Sequence, residues 1–242
     1  MPNVPPQYPE PQTSPQQLSA FPIVVPDGLI EQAAEHIRRL LATDSSGHDW
    51  WHIWRVWRTA RWLAKREGVN VAVCELAALL HDIADWKFHG GDIEAGPRVA
   101  REWLATAGAE KTLADRVAEI VAEVTFKGAG VATPTSSLEA ACVQDADRLD
   151  AIGAIGVARA FAYGGAKGRL LHDPDHPPQT HGDFTAYRSN AGPTVNHFHE
   201  KLLLLRDRMR TASGRELAAR RHEFMERFLA EFQAEWQLGD NG

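Results

Sequence analysis

The chain has 242 residues, of which 44% are hydrophobic and 24% are charged, and its formal net charge is −6. This length and composition fit one globular domain and exclude disorder of the whole chain. The acidic balance argues against non-specific binding of DNA or RNA, because that binding depends on neutralisation of phosphates by Lys and Arg. No apolar run reaches the roughly 18 residues of a membrane span, and Cys74 and Cys142 suggest neither a disulfide framework nor a zinc ribbon. We therefore expect a cytoplasmic protein that binds neither membranes nor nucleic acid.

The first 26 residues differ in composition from the rest of the chain. They are rich in Pro and Gln and show almost no hydrophobic periodicity. Such a segment cannot bury enough apolar surface to offset the entropy lost on ordering. We predict a flexible, disordered tail over residues 1–26 and one compact domain over residues 27–242.

From residue 27 onward, apolar residues recur at three- and four-residue spacings, which is typical of amphipathic helices. No segment alternates convincingly as a strand would, so the sequence predicts an all-α protein. The second helix carries the tryptophans between Trp50 and Trp62, and we expect most of them to lie in the core. Residues 163–193, rich in Gly and Pro, are predicted to form a long irregular loop. The helices are predicted at about 29–41, 50–62, 71–84, 93–107, 113–124, 138–162 with a break near Gly153 or Gly156, 194–211 and 215–238.

Four residues with metal-binding side chains are placed so that three helices can bring them together. His52 lies on the second helix, and His81 and Asp82 follow 29 residues later at the end of an apolar helix. Asp147 comes a further 65 residues on, on another predicted helix. Two imidazoles and two carboxylates form a mixed nitrogen and oxygen site, which suits borderline divalent cations better than those that prefer thiolates.

Five segments of the sequence resemble the HD superfamily of metal-dependent phosphohydrolases, and more closely its YpgQ/YedJ-like branch. The resemblance extends over about residues 30–238. It is carried by Gly-His-Asp-Trp-Trp-His at 47–52, Leu-His-Asp-Ile-Ala-Asp-Trp-Lys-Phe at 80–88, Phe-Lys-Gly-Ala at 126–129, Gln-Asp-Ala-Asp-Arg-Leu-Asp at 144–150 and Asn-His-Phe-His-Glu-Lys-Leu at 196–202.

The resemblance implies a compact HD-type helical fold in which His52, His81, Asp82 and Asp147 bind the metal. It also implies hydrolysis of a phosphoanhydride or phosphoester bond. Similarity to the YpgQ-like branch points to nucleoside triphosphates cleaved to the monophosphate and pyrophosphate, with Mn as the favoured metal and Fe, Co, Ni, Zn or Mg as alternatives. The nucleophile would be water activated by the bound ion.

Further candidates for chemistry lie near these motifs. Asp85 follows Asp82 by three residues, about one helical turn, where its carboxylate could act as a general base or form an ordinary ion pair. His197 shares a helix face with Lys201 and is a second candidate catalytic residue. The segment 164–169 is rich in Gly and cations, and we expect it to be a mobile lid. Five cations are candidates for binding substrate phosphate, although solvated or ion-paired side chains would explain each equally well: Lys87, Lys127, Arg148, Lys167 and Lys201.

Several alternatives remain open at the level of sequence. A nucleoside monophosphatase, or a hydrolase of a signalling nucleotide with a 3′-pyrophosphate, would use the same ligands. A di-iron oxygenase would require two more histidines between the doublet and Asp147, and only His89 lies there. A non-catalytic nucleotide-binding regulatory protein is the alternative from another class. The apolar run Leu202 to Leu205 is consistent with a homodimer, although burial in the core explains it equally well.

Overall fold

The computed structural model describes residues 23–42, 49–84, 92, 94–124, 133–179 and 192–238. Over these residues it contains α-helices and one 3-10 helix but no strand, which confirms the all-α prediction. None of these helices has the combination of length and apolar character needed to cross a bilayer. The helices are α1 (Leu29–Leu40), α2 (Trp50–Glu67), α3 (Val71–Leu80), α4 (Ala95–Thr106), α5 (Lys111–Val124), α6 (Leu138–Asp150), α7 (Gly153–Ala166), α8 (Thr194–Glu200), the 3-10 helix (Leu202–Arg208) and α9 (Ala212–Trp236).

Helix α3 is the centre of the fold. Every residue from Val73 to Leu80 is buried, so this helix has no solvent-facing side over most of its length. It packs against α1, α2, α5 and α6. A helix that is apolar on all sides is stable only when neighbours cover each face. The turn that follows α3 is therefore held by the core itself.

Side-chain caps fix where three of the central helices begin. The side chains of Asp49, Asn70 and Ser137 each accept a hydrogen bond from a backbone N–H in the first turn of α2, α3 and α6. Such caps satisfy amides that have no partner within the helix and typically contribute about 1 kcal/mol. The helices that carry the candidate ligands thus have starts fixed by local sequence.

The predicted helix boundaries are corrected at several points. Helix α3 ends at Leu80 rather than near 84, and residues 81–84 form a turn. The predicted break is confirmed at Gly153, whose φ of 77° is left-handed, but α7 then continues to Ala166 into the predicted loop. The predicted helix 194–211 is α8 followed by the 3-10 helix. The segment 164–169 accordingly starts in the last turn of α7.

The prediction that the α2 tryptophans lie mostly in the core is wrong. Trp51 and Trp62 are exposed, and Trp50, Trp54 and Trp57 are only half-buried. The buried stripe of α2 is instead made of smaller residues such as Ile53, Val56 and Ala60. Trp50 and Trp57 are partly buried against this core, at the margins of the stripe.

The N-terminal segment and the apolar run bear on two other expectations. Residues 1–22 of the predicted tail lie outside the described residues, and residues 23–26 have no regular secondary structure. Leu202 and Leu205 are buried within the chain, whereas Leu204 is exposed. Burial in the core thus explains two of the four leucines, and the homodimer stays a prediction.

Candidate metal centre

Helix α2 presents His52 in its first turn. The Asp49 carboxylate accepts a hydrogen bond from the His52 backbone N–H at 2.9 Å, which fixes that turn. The His52 side chain is 2% exposed, and its Nδ1 lies 2.7 Å from Asp150 Oδ2 on α6. Burial alone would lower the pKa of His52, but hydrogen bonds to Asp150 and Asp82 raise it to about 9. This imidazole therefore lies among the carboxylates of Asp82, Asp147 and Asp150.

The turn after α3 presents His81 and Asp82 toward the same point. His81 Nδ1 lies 2.8 Å from the carbonyl oxygen of Ala78, which can only accept, so Nδ1 donates. In the neutral imidazole this leaves a lone pair on Nε2. That atom is buried and has no hydrogen-bond partner among the described residues. A buried nitrogen with a free lone pair is expensive unless it binds something.

Four donor atoms converge from α2, the turn after α3, and α6. His52 Nε2 lies 3.6 Å from both Asp82 Oδ2 and Asp147 Oδ1. His81 Nε2 lies 3.4 Å from Asp82 Oδ2 and 3.9 Å from Asp147 Oδ1. His52, His81 and Asp147 each offer a ligand atom, and these atoms lie within 4.8 Å of one another.

This donor set fits a divalent cation. Ligands about 2.0–2.2 Å from one cation lie about 3.0–3.6 Å apart when they are adjacent, so the observed spacing needs little closure. The histidines are buried, whereas the side chains of Asp82 and Asp147 are 19% and 27% exposed. The cluster is therefore closed on its imidazole side and accessible on its carboxylate side, where a substrate could enter.

Asp150 was not singled out from the sequence, although it lies within the Asp-Ala-Asp-Arg-Leu-Asp motif. Its carboxylate accepts hydrogen bonds from His52 and from Arg55 on α2, and from Arg159 on α7 at 2.6 Å. Burial opposes its ionisation, yet the hydrogen bonds from His52 and Arg55 hold its pKa well below the usual range. The sequence did contain one indication of this contact, because His52 and Arg55 lie three residues apart and therefore on one face of α2.

Comparisons with known proteins show the family to which the chain belongs. The HD domain family model matches residues 50–152. YpgQ from Bacillus subtilis is 38% identical over 204 residues, covering 84% of this chain and 91% of YpgQ. The chain belongs to the HD superfamily.

Solved structures of HD proteins extend the match over most of the chain. An HD-superfamily hydrolase from Bacillus thuringiensis is 42% identical, with a TM-score of 0.68 over 87% of this chain and 97% of its own. The complex of Bacillus subtilis YpgQ with ADP is 35% identical, with a TM-score of 0.64 over 85% of this chain and 98% of its own. These matches support a hydrolase of the HD superfamily, whose domains bind divalent metals.

Arg148 of this HD protein is buried near the cluster without facing it. Its guanidinium donates to the carbonyl oxygen of Arg208 and to the Thr133 hydroxyl. Burial lowers the pKa of Arg148 to about 10, although Asp145 opposes the shift. These contacts favour a structural role, in which Arg148 connects α6 to the 3-10 helix, over contact with substrate.

The other candidate cations among the described residues, Lys167 and Lys201, directly follow α7 and α8. Lys167 is exposed just after α7, with its Nζ 5.7 Å from the centre of the Tyr163 ring, and Arg169 lies over the same ring. Half-buried His197 on α8 has its pKa lowered to about 3, first by burial and then by the charges of Lys201 and Arg169. The structure therefore groups these residues with one another. Their contact with substrate stays a prediction.

The segment 164–169 is tied to α8. Gly164 lies so close to Thr194 that a Cβ at position 164 would overlap its hydroxyl. The backbone N–H groups of Thr194 and Val195 donate to the carbonyl oxygens of Leu170 and Leu171. Asn196 Nδ2 donates to the carbonyl oxygen of His176.

Three predicted site residues, Asp85, Lys87 and Lys127, lie outside the described residues, as do His48 and His89.

Proposed function

We propose that this HD protein is a metal-dependent nucleotide phosphohydrolase, and most specifically a nucleoside triphosphate pyrophosphohydrolase that releases the monophosphate and pyrophosphate. The observation that carries the proposal is the convergence of His52, His81, Asp82 and Asp147 on one point. The buried, unpartnered Nε2 of His81 supports a bound cation there.

The four residues would hold one divalent cation, for which we propose Mn. When bound, the cation polarises a phosphoryl oxygen and activates water at neutral pH. The two histidines supply neutral donors and the two aspartates supply two negative charges. The two negative charges of the aspartates only balance the two positive charges of a divalent ion. Phosphate must therefore be attracted by cations elsewhere in the site.

Arg55 and Arg159 provide such cations next to the cluster. Both contact Asp150, and each side chain remains 28% exposed. Two guanidinium groups and one carboxylate give this group a formal charge of +1. Arginine donates several N–H groups in a fixed plane, which suits a phosphate that approaches from solvent. Neither arginine was among the cations predicted from sequence.

The nucleotide part of the proposal is supported by the relative that was solved with ADP, which is YpgQ. A ligand with an adenine base and two phosphates binds that protein, and the match covers 85% of this chain. We propose that a nucleotide binds this chain in the same way, with its phosphates at the carboxylate side of the cluster.

In the proposed reaction, the oxygen of water bonds to the α-phosphorus while the bond from that phosphorus to the bridging oxygen breaks. The bridging oxygen leaves with pyrophosphate, and the proton of water goes to a base. Asp85 remains the proposed base. His197, whose pKa is well below its usual value, is neutral at pH 7 and could accept a proton or a hydrogen bond but could not deliver a proton from an imidazolium.

Phosphorus NMR of the purified protein tests the proposal. The protein is incubated with Mn²⁺ and separate nucleoside tri-, di- and monophosphates in ¹⁸O-enriched water. Wild type is expected to form pyrophosphate and a monophosphate that carries ¹⁸O. Asp82→Ala and metal chelation should each abolish the reaction. Asp115→Asn, which changes a half-buried carboxylate on α5 outside the proposed metal site, is the matched control and should remain active.

Other products would contradict specific parts of the proposal. Orthophosphate from monophosphates would indicate a monophosphatase. Pyrophosphate released only from nucleotides with a 3′-pyrophosphate would indicate a signalling-nucleotide hydrolase. If no nucleotide is cleaved with Mn, Fe, Co, Ni, Zn or Mg, the proposed nucleotide hydrolysis fails, and an unrelated substrate or a binding protein is favoured.

A further inference from the structure

Asp150 occupies the last turn of α6, behind the proposed metal centre. Its Oδ2 accepts hydrogen bonds from His52 Nδ1 at 2.7 Å, from Arg55 at 3.0 Å and from Arg159 at 2.6 Å. Its Oδ1 accepts one from Arg55 Nε at 2.6 Å. A carboxylate has about four acceptor positions, so these contacts occupy nearly all of them. Asp150 therefore has little capacity left to bind a cation itself.

We infer that Asp150 is a positioning residue that orients His52 and selects the tautomer in which His52 Nε2 carries the lone pair that binds the metal. This inference rests on the proposed metal site. Because a carboxylate only accepts, His52 Nδ1 carries the proton, and the lone pair of the neutral ring is on Nε2. Nε2 is the atom that faces Asp82 and Asp147.

The arginines fix the orientation of the carboxylate. Arg55 binds both oxygens in a fork from α2, and Arg159 binds Oδ2 from α7, so the carboxylate cannot rotate without losing several bonds. Arg221 on α9 donates to the carbonyl oxygen of neighbouring Leu149 and packs beneath Gly153. Helices α2, α6, α7 and α9 thus all contribute to the angle at which His52 is held.

Asp145 on the same helix provides a matched control. It is also a buried carboxylate, and it accepts hydrogen bonds from the backbone N–H groups of Arg210 and Thr211 and from the Thr211 hydroxyl. None of these partners is a proposed metal ligand. Replacement of either aspartate removes a buried charge from α6, but only the change at Asp150 alters a contact to His52.

The test measures metal affinity rather than activity. Mn²⁺ and Co²⁺ are titrated calorimetrically into wild type, Asp150→Asn and Asp145→Asn, under conditions where circular dichroism shows each to be folded. Loss of a partner of a ligating histidine typically weakens metal binding by about 10–100-fold, which we expect for Asp150→Asn. The visible spectrum of the Co²⁺ form should change in the same variant. Asp145→Asn should bind within about threefold of wild type, because its effect is on folding.

A second variant is included in case Asp150→Asn does not fold. Asp150→Asn leaves Arg55 and Arg159 without their full carboxylate, and the double variant Asp150→Asn/Arg159→Gln removes one of those charges. The double variant should show the same loss of metal affinity. Equal affinity and an unchanged Co²⁺ spectrum in either variant would overturn the inference, and so would an equal loss in Asp145→Asn.

The results also separate this inference from the proposed function. Wild type that binds no divalent metal would overturn both. Wild type that binds metal but cleaves no nucleotide would overturn the proposed activity, while a selective loss of affinity in Asp150→Asn would still support the role of Asp150.

Discussion

The protonation of His197 offers a direct test of its environment. A histidine whose pKa is lowered in the folded protein, here to about 3, stays neutral as the pH falls, whereas in the unfolded chain it binds a proton near pH 6.5. Protonation of the unfolded chain therefore favours unfolding below about pH 6.5, and the loss continues down to about pH 3. Between pH 7.5 and pH 5, this difference corresponds to about 2 kcal/mol of unfolding free energy.

The measurement is urea unfolding at both pH values in the presence of chelator, for wild type, His197→Asn and His199→Asn. Asparagine does not titrate, so the stability difference between wild type and His197→Asn should change by about 2 kcal/mol between the two pH values. His199 is exposed on the same helix, and His199→Asn is the matched control for replacing a histidine of α8. If the unfolding free energies of wild type and His197→Asn changed by the same amount between the two pH values, the reasoning would be refuted, and His197 would again be a candidate proton donor.

Three further predictions concern the metal, the core and the helix junction. A saturating divalent metal, at about 100 times its Kd, should raise the unfolding free energy of wild type by about 2.7 kcal/mol, and Asp147→Asn should lose most of this shift in a thermal unfolding assay. Asp145→Ala leaves two backbone amides and a hydroxyl at the start of α9 without their acceptor, so urea unfolding should show a loss of about 3–5 kcal/mol, and a loss below 1 kcal/mol would contradict this account. Gly156→Ala places a Cβ against the carbonyl of Ala151, and we expect a loss of about 1–3 kcal/mol in the same assay, whereas unchanged stability would show that the junction can relax.

Local sequence patterns were sufficient to predict the helices and to identify the family. Periodicity predicted α2, α3 and α6 close to their observed starts, where Asp49, Asn70 and Ser137 cap their own first turns. The motifs around His52, His81 and Asp147 were sufficient for the HD resemblance, which the family match confirms. On α2, periodicity was less informative. It did not distinguish the buried stripe that contains Ile53 and Val56 from the flanking positions that the tryptophans occupy.

The candidate site was only partly predictable. His81 and Asp82 were read as the end of a helix, and the structure shows a turn that brings both side chains toward His52. Arg148 resembled a phosphate ligand by its position in the motif, yet its guanidinium is turned toward Thr133 and Arg208. A motif states which residues are near each other along the chain, but not which way a guanidinium points.

The sequence by itself determined the helical class, the capped starts of the central helices and the residue types that can bind a divalent cation, because these depend on interactions within one or two turns. Only the tertiary structure decided that the Nε2 atoms of His52 and His81 lie 3.4–3.9 Å from carboxylate oxygens of Asp82 and Asp147, and that Asp150 lies behind His52. Those distances join residues up to 98 positions apart. They follow from how α2, α3 and α6 pack around the buried core, which no local pattern specifies.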